Sequence, residues 1–226
     1  MRDLVNLRKR EFYIQYLSLF NMIPKINYQI HKVLTQVFIP YDKNEQEFNK
    51  KSQKFIQHFK KIESEVLFLI EKFSGFKWSK SKIPVYIVPK GDWPSFTKSN
   101  LEKNTPGVVQ AIYNTTQRST HIFIHELAHV NQFQSNFRSK KNKVIWKGKE
   151  LDRVMLEVCT DIVCLHVLRE LFGKGSKYEK DYWYFLDHVM TSTPKKKMKV
   201  RPYLKKWDLN KKSLREYIFE KNSLSK

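Results

Sequence analysis

His125-Glu126-Leu127-Ala128-His129 sits inside an apolar, helix-compatible run. On a helix, residues four apart lie about 40° from each other round the axis and roughly 6 Å apart along it. The two imidazoles can therefore address one ion from the same face. Glu126, one step round, falls beside that ion rather than on it, where it can take a proton from a water held there. Taken alone, the same five residues also describe a surface helix with two satisfied histidines. A second acidic signal downstream favours the metal-binding reading.

That signal is Glu157 and Asp161, four apart in a run from Val154 to Leu165 that is apolar on nearly all sides. Such a run predicts a buried helix, and buried carboxylates need a partner, for which a cation is the obvious choice. Glu157 is the expected third protein ligand. Asp161, one turn on, is placed to accept the free ring N–H of a ligating histidine and fix its tautomer. Glu150 is a rival for the third position, because seven residues of helix return it to the same face. It sits in the polar stretch Lys147-Gly148-Lys149-Glu150 and has no acidic residue four further on, so Glu157 is preferred.

H-E-x-x-H followed by a helix carrying E-x-x-x-D resembles the gluzincins, the thermolysin-like branch of the zincin metallopeptidases, in a minimal form. The resemblance spans roughly residues 83–172. It implies Zn2+ held by His125, His129 and Glu157, with Glu126 as general base, Asp161 behind a ligand histidine, and hydrolysis of peptide bonds. It also implies an α+β fold, a minimal zincin-like core with a small β-sheet packed on a predominantly helical body. In that family the strand before the motif helix lies at the sheet edge over the cleft. Gly107, Val108, Val109, Gln110 and Ala111, in the expected strand 107–113, then become the peptide-binding residues. A Tyr or His from a later helix usually stabilises the oxyanion, and Tyr178, Tyr182, Tyr184 and His188 qualify; His188 is preferred, with Tyr113 a further candidate. Two features depart from the pattern. His129 and Glu157 are 28 residues apart, longer than in thermolysin itself, and no Asn precedes Glu157.

Two other histidines invite inclusion. His121 lies eight residues before His129, roughly 12 Å of helix, too far for all three to meet at one tetrahedral ion. It is read as structural or as part of the cleft wall. His166, nine residues from Glu157, faces the other side of its helix and reads as a core residue.

Composition narrows the setting. With 43 Lys and Arg against 22 Asp and Glu, the formal charge is +21, which would attract acidic protein, nucleic acid or an anionic surface. The same number follows from a lysine-rich genome without any function. A different class of function is therefore kept beside the peptidase: a nucleic-acid-associated basic protein with a regulatory or vestigial zinc site. Between the two lies a peptidase acting on DNA-bound or repressor proteins. Cys159 and Cys164 share one expected helix, five apart, which does not suit a disulfide and does suit a reducing compartment, hence a cytoplasmic location. No run of about 18 apolar residues predicts a transmembrane helix, and no small-residue cleavage site follows residues 12–23.

Along the chain, residues 1–23 predict an amphipathic helix stopped by Pro24, and 25–39 are ambiguous with helix preferred. Residues 44–73 predict one helix on the stripe Phe48, Phe55, Phe59, Ile62, Val66, Ile70 and Phe73, ended by Gly75. Strands are expected at 83–89 and 108–113, with a turn at 91–94 between them and another at 114–116 leading into the motif helix, which runs to about Phe137. Residues 138–149 read as a basic connection. The ligand helix spans about 150–172 and stops at Gly173-Lys174-Gly175, followed by an aromatic-rich helix at 178–190. From Thr191 the tail carries twelve Lys or Arg against three Asp or Glu, with a short helix at 214–219. One domain is expected: a helical part (1–75), the zincin core (76–173) and a basic helical part (174–226).

Overall fold

Ile26, Tyr28 and Ile30 alternate with Asn27 and Gln29, the period of a half-buried strand. The computed structural model describes residues 23–30, 45–89, 95–102, 105–135, 137–140, 143–146, 149–188 and 194–219. At 45, 98–100, 102, 137–140, 143–146, 149–154, 188, 194–199 and 219 it describes the backbone only. The helix expected over 1–23 falls outside these residues up to position 22, as does the turn at 91–94. Within 25–39 the described part corrects the helical preference: β1 (Lys25–Ile30) is a strand. It runs parallel to β2 (Lys82–Pro89), with Ile26 opposite Ile83 and Tyr28 opposite Val85.

β2 is the apolar, β-branched stretch expected from its sequence, and Ile83, Val85 and Ile87 are wholly buried. On its other side it pairs in parallel with β4 (Thr105–Ile112), and β4 pairs antiparallel with β3 (Phe96–Glu102). The sheet order is β1-β2-β4-β3. β4 is therefore interior, and the edge strands among the described residues are β1 and β3; β3 has no counterpart in the sequence reading. Gly107 marks the tightest approach inside the sheet. A Cβ there would clash with the Pro84 carbonyl oxygen and lie 2.7 Å from Leu101 Cδ2.

The Phe stripe folds as expected, but as two helices, α1 (Glu45–Lys60) and α2 (Glu63–Ser74). The break falls where the Ile62 N–H donates to the Phe59 carbonyl at 2.9 Å, a tighter turn than α. It puts Glu63 at a helix start, where its carboxylate accepts from the Ile26 N–H at 3.2 Å and the Tyr28 hydroxyl at 2.9 Å. α2 ends at Gly75, whose φ of 75° is left-handed and whose N–H donates to the Glu71 carbonyl.

Phe55 and Phe59 close on Phe123 of α3 (Thr116–Gln134) edge to face, with centroids 5.5 and 4.6 Å away. Each such ring contributes on the order of 1.5–3 kcal/mol by leaving water. A three-stranded antiparallel sheet, β5 (Phe137–Lys140), β6 (Lys143–Trp146) and β7 (Lys149–Asp152), joins α3 to α4 (Arg153–Phe172) where a plain connection is expected. Gly173 and Gly175, at φ 87° and 78°, end α4 as predicted. α5 (Lys177–His188), α6 (Pro194–Lys206) and α7 (Leu214–Phe219) complete the chain, and Tyr182, Leu186, Val200, Trp207 and Leu214 join one core cluster with α1 to α4. The fold is α+β, seven helices among the described residues around a small mixed sheet.

Candidate metal centre

Thr115 leaves the sheet in an extended conformation, and its side-chain oxygen accepts the Arg118 N–H at 3.2 Å, capping α3. Every residue from Ser119 to Gln132 is then buried, because the sheet, α1, α2, α4 and α5 all pack on this helix. His125, Glu126 and His129 are 8, 7 and 7 % exposed. A motif this deep in the fold is no surface pair of histidines.

His125 Nε2 and His129 Nε2 are 3.1 Å apart. Glu157 Oε2, from α4, lies 3.5 Å from the first and 3.4 Å from the second. A tetrahedral ion bonded at about 2.0–2.1 Å spaces its ligand atoms by roughly 3.3–3.4 Å, so these three atoms fit one face of such a tetrahedron. Among the described residues, His125, His129 and Glu157 form a group whose donor atoms could share one metal ion. The Glu157 side chain is 27 % exposed against 10 % and 9 % for the histidines, so the group opens to solvent on the glutamate side.

The far nitrogens of both rings are tied down. Asp161 Oδ1 is 3.0 Å from His125 Nδ1, as the sequence reading expected. Thr160 Oγ1 is 3.2 Å from His129 Nδ1, and the Leu156 carbonyl and Gln132 Oε1 lie within 3.1 Å to take the threonine proton. Each Nδ1 therefore donates, and each Nε2 offers its lone pair to the centre. Without an ion, burial pushes the His125 imidazole down, but hydrogen bonds to Asp161 and Glu157 outweigh it and hold the ring well above the usual histidine range; the proton on Nε2 is then the one a metal would displace.

Glu126 points alongside this group. Thr97 Oγ1, on β3, lies 2.8 Å from both Glu126 Oε2 and the Glu126 carbonyl oxygen. Burial raises the Glu126 pKa, while His125, His129 and the Thr97 hydroxyl pull it back. Burial outweighs them, so the carboxyl group holds its proton more tightly than an exposed glutamate does.

Other expectations need correction. Gly107, Val108, Val109, Gln110 and Ala111 lie on β4, paired on both sides, and cannot offer a free edge to a peptide. Glu150 lies on β7 opposite Ile145, not on the helix that carries Glu157, so the helical argument for it as a rival ligand fails. Tyr182 is wholly buried behind His125, its hydroxyl 2.9 Å from Nδ1 and so on the side away from the three ligand atoms. Tyr178 stacks on Phe172 at 3.8 Å, with its hydroxyl towards His58. Tyr184 is 52 % exposed beside Arg118. Tyr113 is buried and receives the Ser95 N–H; burial pushes its phenol up, and Glu126 adds to this. The side chain of His188 lies outside the described residues.

His121 is fully buried with Nε2 2.9 Å from Asp181 Oδ2, and Asp181 also accepts from Arg118 at 2.7 Å. His166 packs on Phe73 at 5.4 Å. Both side chains are buried. Thr160, Thr97 and the position of Tyr182 escaped the sequence reading. Thr160 had a signal, since it follows Glu157 by three residues and so shares its helix face; the other two had none. No family model, curated protein or solved structure matches the chain.

Proposed function

We propose that the chain is a zinc-dependent metallopeptidase of the gluzincin type, hydrolysing peptide bonds in a protein or peptide substrate. The observation that carries this reading is the triangle of His125 Nε2, His129 Nε2 and Glu157 Oε2, with sides of 3.1, 3.5 and 3.4 Å and a buried carboxylate beside it. Two imidazoles and one carboxylate suit zinc and leave it a position open. Zinc bound there would polarise a carbonyl and lower the pKa of a coordinated water.

The chain's own residues supply the remaining parts. Glu126 takes the proton of the attacking water and returns it to the leaving amine, with Thr97 aiming the carboxylate. Among the described residues no strand pairs with the far side of β3, the outer strand beside Glu126, which makes that edge the place for an extended peptide to add. Two buried Nδ1 anchors keep the ligand rings from turning. A net charge of +21 favours acidic polypeptides by long-range attraction. Among the described residues, no helix is long and apolar enough to cross a membrane.

The test is Glu126→Gln. Gln keeps the shape and the Thr97 contact but cannot accept the proton, so metal content and fold are retained while cleavage falls by at least about 10²–10⁴-fold. Wild type and variant are compared for processed fragments in cell extract. Identical fragment patterns would remove the peptidase reading.

A further inference from the structure

Tyr182 of α5 closes a hydrogen-bonded triangle behind the centre. Its hydroxyl donates to Asp161 Oδ1 at 2.6 Å and lies 2.9 Å from His125 Nδ1, and Asp161 Oδ1 is itself 3.0 Å from that nitrogen. The phenol has a single proton, which goes to the carboxylate as the closer and stronger acceptor. Its oxygen is then left to share the proton on Nδ1 with Asp161 Oδ1. The run Nδ1–H to Tyr182 to Asp161 is cooperative, because a hydroxyl that donates to a carboxylate becomes a better acceptor. Phe would fill the same fully buried space without the cost of desolvating a hydroxyl. The oxygen is explained by what it touches.

The neighbouring residue makes this grip specific. Asp181 holds Arg118 and His121, whereas Tyr182 holds His125, one turn further along α3. Consecutive residues of α5 thus secure consecutive turns of the motif helix. We infer that Tyr182 is a positioning residue of the metal centre, which fixes the Nδ1–H tautomer and ring orientation of His125 so that Nε2 faces the ion. The inference rests on the reading of His125 as a metal ligand.

The experiment uses the full chain, stripped of metal, and measures zinc affinity by competition with a chromophoric chelator. Tyr182→Phe weakens zinc binding by about ten- to a hundredfold, the range typical for a residue that orients a ligand. Glu179→Gln is the control. Glu179 bonds Arg169, the Gly175 N–H and Trp183, so its loss loosens the docking of α5 without touching His125. It lowers the melting temperature and leaves zinc affinity unchanged. Ring-nitrogen NMR of the zinc-loaded wild type, which depends on no variant, places the His125 proton on Nδ1. Equal affinity in Tyr182→Phe and wild type, an equal loss in Glu179→Gln, or a proton on Nε2 overturns the assignment. A wild type that takes up no zinc fails at the earlier step: the centre itself is then misread, and the role of Tyr182 goes with it.

Discussion

His125 and His166 are both buried, yet their surroundings drive their protons in opposite directions. His125 meets two carboxylates, and its pKa rises. His166 meets none so closely; burial, aided by the Arg169 charge, pushes it down to about 4. A histidine whose folded pKa lies below its unfolded value of roughly 6.5 binds fewer protons when folded, so it adds stability above pH ~6.5 that drains away as pH falls towards 4. The His166 contribution is on the order of 2–3 kcal/mol at neutral pH. Urea midpoints taken from pH 7 down to 4 should therefore fall less steeply in His166→Gln than in wild type; parallel curves would show that His166 carries no such load. What could be read of the site at this scale follows from sequence distance. His125, Glu126 and His129 share one helix, and Asp161 and Glu157 another, so spacing alone groups them. Thr97 reaches Glu126 across 29 positions and Tyr182 reaches His125 across 57, and periodicity carries no information over such intervals.

At the scale of elements, the edge of the sheet is where the sequence misleads. The stretch 107–113 is the last apolar run before the motif helix, and nothing local tells an interior strand from an edge strand. β3 hides for the opposite reason: Phe96–Glu102 is mostly polar, and its pairing with β4 shifts register between Lys98 and Glu102. β5, β6 and β7 hide under lysines in the same way. The break between α1 and α2 has no Pro or Gly to announce it, because its cause lies in β1, where Glu63 finds Ile26 and Tyr28. Gly107 tests this arrangement. A methyl group there meets the Pro84 carbonyl oxygen, which is backbone of the neighbouring strand and cannot step aside as Leu101 can. Gly107→Ala should cost on the order of 1–3 kcal/mol in chemical denaturation, as overpacking does. An unchanged midpoint would mean that β2 and β4 are not so closely packed.

At the scale of the whole molecule, one apolar cluster gathers side chains from the sheet and from α1 through α7, and two of its helices bring His125, His129 and Glu157 together. The sequence makes the helical stripes and the two apolar strands legible because they follow simple periods. It leaves the sheet order and the docking of α5 unread, because those depend on which surfaces meet. The proposed function requires α3 and α4 to hold one ion between His125, His129 and Glu157, whose donor atoms lie close together. Elemental analysis together with native mass spectrometry of the purified full chain tests it most directly. Wild type should carry about one zinc per chain, and His125→Ala and Glu157→Ala should carry almost none. A wild type without zinc under zinc-replete conditions, or variants that retain it in full, would contradict the account.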